Sequence, residues 1–430
     1  CLSRATLLGA AVLISAASPI AANAANGTWG GDASGAWSTA SLWSGSVIPG
    51  ATTTNSNTTS SAAFSATATN SDVATFNTTL TAGRTITGAV GGSRILSGIT
   101  FNHSDNFAYS LSQGALFLSN GGTVQQISSS GTKTDGLSFL GGIFLQSDSA
   151  TSTGSYTFDA SGNSTSLLSI GGGTIRGTAS TGKAYTLNLT GSNTGANAIT
   201  YQLNDGFNGG VLNLVKAGTG KWQITSTAAA TGTVTINAGT LETTASNVLS
   251  TFSDIAFANT SGANLTLTTF GQEIKSISGG GSTGGNISLG SLVLTITGTN
   301  DTTYGGVISG ATGQLVKKAG SSGTLTLTGT NTFTGAVTIN AGTISVGTIG
   351  NQNANGNLGA GTNFVLAGGT LKYTGSSAST TRTFSQSTST NSTIEVTDSN
   401  ATLEISGVSS GSGNLTKTGA GKLTLSANNT

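Results

Sequence analysis

Four groups of residues in this sequence have types that could do chemistry. The first is the sole histidine, in Phe101-Asn102-His103-Ser104-Asp105-Asn106. A hydrolase of the Ser-His-Asp kind needs its base held between a nucleophile and an orienting acid. Here the serine and the acid are chain neighbours, and no strand–turn–helix elbow is present to expose a nucleophile, so no catalytic role is read into His103. The second group is Glu395, Asp398 and Glu404, the densest cluster of carboxylates. Glu395 and Glu404 flank the apparent turn Asp398-Ser399-Asn400. Two carboxyls brought close would suit glycoside hydrolysis, but two strands kept soluble by outward charge would look the same. The third group is Trp29, Trp37 and Trp43, within Gly27–Pro49. Indole faces could stack on a pyranose, or could cover the open end of a core, and the cap is the favoured reading. The fourth is Lys216, Lys318 and Lys417, which recur together with Gly218, Gly320 and Gly419. They would form a basic stripe for acidic glycans, or a polar punctuation mark before a glycine turn.

Composition narrows the field. The chain has 430 residues, and only 7% are charged, against about 25% in an ordinary soluble domain. Fifteen Lys and Arg balance 14 Asp and Glu. Nucleic-acid binding is not expected, because phosphates need clustered cations. One Cys excludes an internal disulfide framework. The 66 glycines do not follow a period of three and Pro contributes only 2 residues, which excludes collagen. Zinc spacings, calcium loops of the G-G-x-G-x-D type and the P-loop are all missing, so no cofactor and no metal is expected.

The elements that would position these residues are short strands. Residues 1–24 read instead as a secretory signal, with Arg4, the apolar run Leu7–Ile14 and the small-x-small site Ala22-Asn23-Ala24, cleaved between Ala24 and Ala25. Beyond it no stretch is long and apolar enough to span a membrane. Apolar residues alternate with Thr, Ser and Asn, as in Thr324-Leu325-Thr326-Leu327-Thr328 and Leu292-Val293-Leu294-Thr295-Ile296. Period two sends one set of side chains inward and the other outward. Turns rich in Gly, Asn and Ser follow each run. The fold class is all-β.

The chain also repeats itself. Residues 208–243, 310–347 and 411–430 share the frame Leu-x-Lys-x-Gly, then Gly-x-Leu-Thr-Leu-x-Gly, and the first two go on to Val-Thr-Ile-Asn-Ala-Gly-Thr. One unit cannot close a core, but stacked coils bury their apolar faces continuously. Coils of about 20–25 residues would give on the order of 16–20 coils and a rod roughly 80–95 Å long at a spacing of about 4.8 Å. Asn and Thr at the turns would ladder from coil to coil. The organisation expected is a leader (1–24), a Trp-rich cap (25–50), irregular coils (51–207) and a region of three repeat units (208–430).

The second unit resembles the autotransporter-associated β-strand repeat of long bacterial surface and secreted proteins. Gly323, Leu325, Leu327, Gly329, Asn331, Phe333, Gly335, Ile339, Gly342 and Ile344 match that pattern residue by residue. The first unit departs from it, with Trp222 for the first Leu and Ala228-Ala229-Ala230 in place of the Asn-x-Phe turn. The resemblance implies a right-handed parallel β-helix in an exported passenger region, structural, adhesive or spacing in role and without catalysis. Its partners would be surface glycans or other cells. A carbohydrate-binding or polysaccharide-degrading β-helix is the alternative. The chain starts without Met, and its third unit stops within a coil. Both features suggest an internal fragment, with a C-terminal barrel or anchor expected to follow.

Overall fold

The computed structural model describes residues 26–50, 70–88, 93–112, 114–146, 153–178, 182–206 and 209–429. The expected leader and its Ala24–Ala25 junction lie outside them. Among the described residues the chain winds as a parallel β-solenoid. Strands pair in parallel along four sheets of 20, 11, 7 and 3 strands. Two isolated antiparallel bridges, Trp29 with Trp43 and Asn331 with Gly356, are the exceptions.

A coil carries up to three strands. The first face runs unbroken from Gly27–Thr28 to Asn414–Thr418, sixteen strands deep within the 20-stranded sheet. The second face is the 11-stranded sheet, which ends at Ile308–Ser309; the 3-stranded sheet takes its place in the coil order from Ala378–Thr380 onward. The third face is a side arm of the first sheet, from Arg94 to Ala229, and then the 7-stranded sheet from Gln272–Ile274. Fifteen steps of about 4.8 Å make the stack roughly 70 Å long. This is shorter than the sequence suggested, because many N-terminal coils are large. Thr123 pairs with Thr157 and Gly154 with Tyr185, 34 and 31 residues on. The repeat region is tighter: Thr324 pairs with Thr343, 19 residues on.

Alternation builds the core as columns. Leu325, Ile344, Leu371 and Ile394 stack in register and are buried. The outward column beside them is Thr324, Thr343, Thr370, Thr393 and Thr416. β-Branched threonine suits this extended backbone without adding charge.

The repeat motif has a physical reading at each position. Leu327, Phe333, Ile339 and Ile344 are core residues. Gly329 lies directly against the Gly306 carbonyl of the coil before, leaving no room for a Cβ. Gly342 turns the chain at φ +61°, the left-handed region that glycine enters without cost. Asn331 is fully buried and ties three coils together. Its Oδ1 accepts from Ile308 N at 2.8 Å, and its Nδ2 donates to Asn357 O at 2.6 Å. Asn357 in turn donates to Gly329 O at 2.9 Å. Laddering by asparagine therefore occurs inside the stack. Replacing Asn331 with Ala strands an amide and a carbonyl away from water, each costing about 1–3 kcal/mol. The urea midpoint for the C-terminal coils should fall accordingly, and an unchanged midpoint would contradict this assignment.

Candidate functional site

The structure answers each group of candidate residues separately. Trp29, Trp37 and Trp43 are all buried, at 0%, 0% and 2% exposure. Their rings meet edge to face, with centroids 5.1 Å apart for Trp29–Trp43 and 4.8 Å for Trp37–Trp43. All three lie about one ring diameter from Phe76 in the next coil. Each indole N–H donates to a backbone carbonyl: Trp29 to Ala33, Trp37 to Pro49, Trp43 to Trp37. No indole face is left for a sugar ring, so the glycan-contact reading of these residues is corrected. The apolar payload of an indole outweighs its single polar atom once that atom is bonded.

The lysine frame needs a correction of one residue. Lys216 ends the strand Val211–Lys216 and points inward, in register between Leu189 and Ile236. Lys317, not Lys318, holds the same place between Ile296 and Ile339. Lys417 follows Ile394 in its column. The turn after Lys317 is two residues longer than in the other units, with Lys318 added before Gly320 and one serine added after it. The ammonium of Lys216 donates to the carbonyls of Ala217, Gly218 and Ala238 at 3.0, 2.8 and 3.0 Å. Lys417 bonds the matching carbonyls of Thr418 and Gly419. In Lys216 and Lys317 the stem is buried in the core, while Lys417, in the last coil, is exposed and keeps only the turn-capping head. Burial pulls the Lys216 ammonium down to about 8, and lowers Lys317 as well. Lys318 is exposed and pairs with Glu273 at 2.7 Å. A continuous basic stripe is therefore not formed.

The three acids are not brought together as a pair. Glu395 pairs with Lys372 at 3.1 Å on the first face. Glu404 lies on Thr402–Ile405 of another sheet. Asp398 accepts from the Asn400 amide in the turn between. Among the described residues no group of three or more His, Cys, Asp or Glu is arranged to hold a metal, and no helix is long and apolar enough to cross a membrane.

The outer surface holds three shallow clefts, of about 410, 340 and 470 Å³, around the strand Thr302–Tyr304. Their walls are mostly Ser, Thr and Gly. Lys275, Asp301 and Lys372 supply the charge, and no aromatic ring lines them.

With the coil geometry in place, comparison with known proteins becomes specific. The passenger-associated-transport-repeat model matches residues 214–242, 317–346 and 415–430. Each segment starts within the Leu-x-Lys strand, and the first two run through the Gly turns to the strands Thr240–Thr243 and Thr343–Val346. These three segments of the chain carry passenger-associated-transport repeats. It is also 34% identical over 245 residues to the adhesin BmaC autotransporter of Brucella suis biovar 1 (strain 1330). That match covers 53% of this chain and 7% of the relative's length. No solved structure matches.

Two buried polar centres outside the matched segments escaped sequence reasoning. Arg382 is 1% exposed and clamps the loop of 347–361, which enlarges its coil. Its guanidinium donates to the carbonyls of Gly350, Gly361 and Gly359 at 2.9, 2.5 and 2.6 Å. Nothing in the sequence links a lone Arg to a loop more than twenty residues earlier. The other centre surrounds His103. Its Nδ1 lies 2.9 Å from Asp105 Oδ2, and its Nε2 lies 3.1 Å from both oxygens of Asp135. Asp135 was a scattered acid in the sequence, 32 residues from the histidine. Its place at an inward position of the strand Lys133–Ser138 was the available signal.

The corrected lysine frame is directly testable. Lys317→Ala should lower stability by about 1–3 kcal/mol, since it removes a buried stem from the core and its ammonium from the Gly298 carbonyl. Lys318→Ala should change it by less than about 1 kcal/mol, the value of an exposed ion pair. Equal shifts in the urea midpoints of the two variants would reject the assignment.

Proposed function

We propose that this chain is a non-catalytic, adhesive passenger segment displayed at the surface of a bacterial cell. The observation that carries the proposal is the coincidence of two findings: passenger-associated-transport repeats, and extended identity to a protein named as an adhesin autotransporter. The surface supports it. The outward faces are rows of hydroxyls and amides at one spacing, and charge is sparse. Such a surface offers many weak, equivalent contacts along a rod, and linked weak contacts add up to avidity. Neighbour-only contacts also let coils form one after another as a chain is exported.

No carboxylate pair, nucleophile or metal centre on the described surface argues for turnover. The ligand class proposed is the surface glycans or glycoproteins of other cells, met by polar contacts rather than by the buried tryptophans. The test is display of this chain on a non-adherent bacterium, followed by counting of cells attached to washed animal-cell monolayers. Attachment should rise severalfold over a strain displaying an unrelated solenoid of equal length. Attachment equal to that control would leave a spacer role and reject adhesion.

A further inference from the structure

The His103 centre does more than fill space. It sits where two successive coils meet, and it draws its partners from three. Asp105 belongs to the histidine's own coil, and it also accepts from the Leu80 amide of the coil before, at 2.8 Å, and from Phe107 N at 2.8 Å. Asp135 comes from the following coil. It stands in an inward column directly between Tyr109 and Leu168, where its neighbours are core residues. It accepts from Tyr109 N at 2.8 Å and from Gln126 Nε2 at 2.9 Å. Gln126 also fills a core position, and its Nε2 reaches Ser128, which accepts from His103 N at 3.0 Å. Lys133 adds its ammonium, bonded to the carbonyls of His103, Asp105 and Ser130 at 2.6, 3.0 and 2.8 Å. The Tyr109 ring packs edge-on against the imidazole at 5.0 Å. His103, Asp135 and Lys133 are at most 5% exposed.

The hydrogen-bond inventory decides the state of the ring. A carboxylate oxygen accepts and has no proton to give, and both ring nitrogens face carboxylates. Both nitrogens must therefore carry a hydrogen, which only the imidazolium does. With it, two buried negative charges meet two positive ones. Without its second proton the ring would turn a lone pair toward one carboxylate, and an uncompensated charge would remain in the core.

We propose that His103 is a proton-operated fastener between two successive coils, closed while the imidazole is doubly protonated and loosened when it gives up a proton. The facing charges are Asp105 on its own segment and Asp135 and Lys133 on the next coil, with Tyr109 as the remaining titratable neighbour. Burial by itself would lower the histidine's pKa. The hydrogen bonds and charge of Asp135, with the Asp105 bond, outweigh that, and the net effect is a rise above the usual 6.5. Burial opposes ionisation of Asp105 too, but the Leu80 amide, His103 and the Phe107 amide hold its carboxyl below 3.8. The linkage follows from these directions. The histidine binds its proton more tightly folded than unfolded, so its contribution is complete below about 6.5 and is lost as pH rises through the folded value. Asp105 contributes above about 3.9 and loses that only as pH falls through its depressed folded value. The fastener is closed from about pH 4 to 6.5 and weakens on the alkaline side.

One histidine per chain makes the test clean. The full chain, labelled with nitrogen-15 histidine, should give one pair of ring signals with both nitrogens protonated at about pH 6. They should titrate with a midpoint above 6.5. Through that titration the protection factors of the Tyr109 and Leu137 amides, corrected for intrinsic exchange, should fall at least tenfold. A midpoint at or below 6.5, or protection unchanged through the titration, would overturn the proposal. In His103→Gln the pH dependence of protection between pH 6 and 9 should vanish; its persistence would assign the effect to another group. Should that variant fail to fold, the wild-type ring signals and protection factors decide the matter alone.

Discussion

Each coil of this protein finds backbone partners only in the coil above and the coil below. That restriction governs the rest of the structure. A parallel strand has donors and acceptors along both edges, and unpaired edges in the interior are costly. Turns must therefore repeat their height, and the backbones must come close. Gly329 against the Gly306 carbonyl is one result. Inward polar side chains are another. Buried donors reach across to a neighbouring coil's carbonyls: Asn331 to Asn357, Lys216 to Ala238, Arg382 to Gly359. These residues behave as rivets, since each satisfies groups in a coil other than its own.

The same restriction explains why charge is rare and why it lies where it does. A buried charge in this core is tolerated only when neighbours answer it, as they do for Lys216 with three carbonyls and for His103 with two carboxylates. Outward charges pair between rungs, as Lys372 does with Glu395 and Lys221 with Glu242 at 3.3 Å. Hydroxyls and amides fill many of the remaining outward positions, as in the column Thr324, Thr343, Thr370 and Thr393.

The coil is plainly written in the chain. Alternation in Thr324–Leu327, the Asn-Ala-Gly turns and the recurrence of the Leu-x-Lys frame are local signals, and local signals survive in a repeat because every contact is with a near neighbour. The lysine frame slipped by one because Lys317 and Lys318 are identical in type, and only their direction separates them. The tryptophans read in sequence as a cap more than as a platform, although an indole serves either; their burial against Phe76 is a matter of packing.

Composition, period two and the internal repeat determined that this would be a charge-poor stack of strand-built coils, because alternation and turn signals act over a few residues. Coil size, the loop held by Arg382 and the meeting of His103 with Asp135 were decided only by the tertiary structure. Each depends on which residue of one coil lies over which residue of the next. That registry is the sum of all the turns between them, and no single segment of sequence contains it.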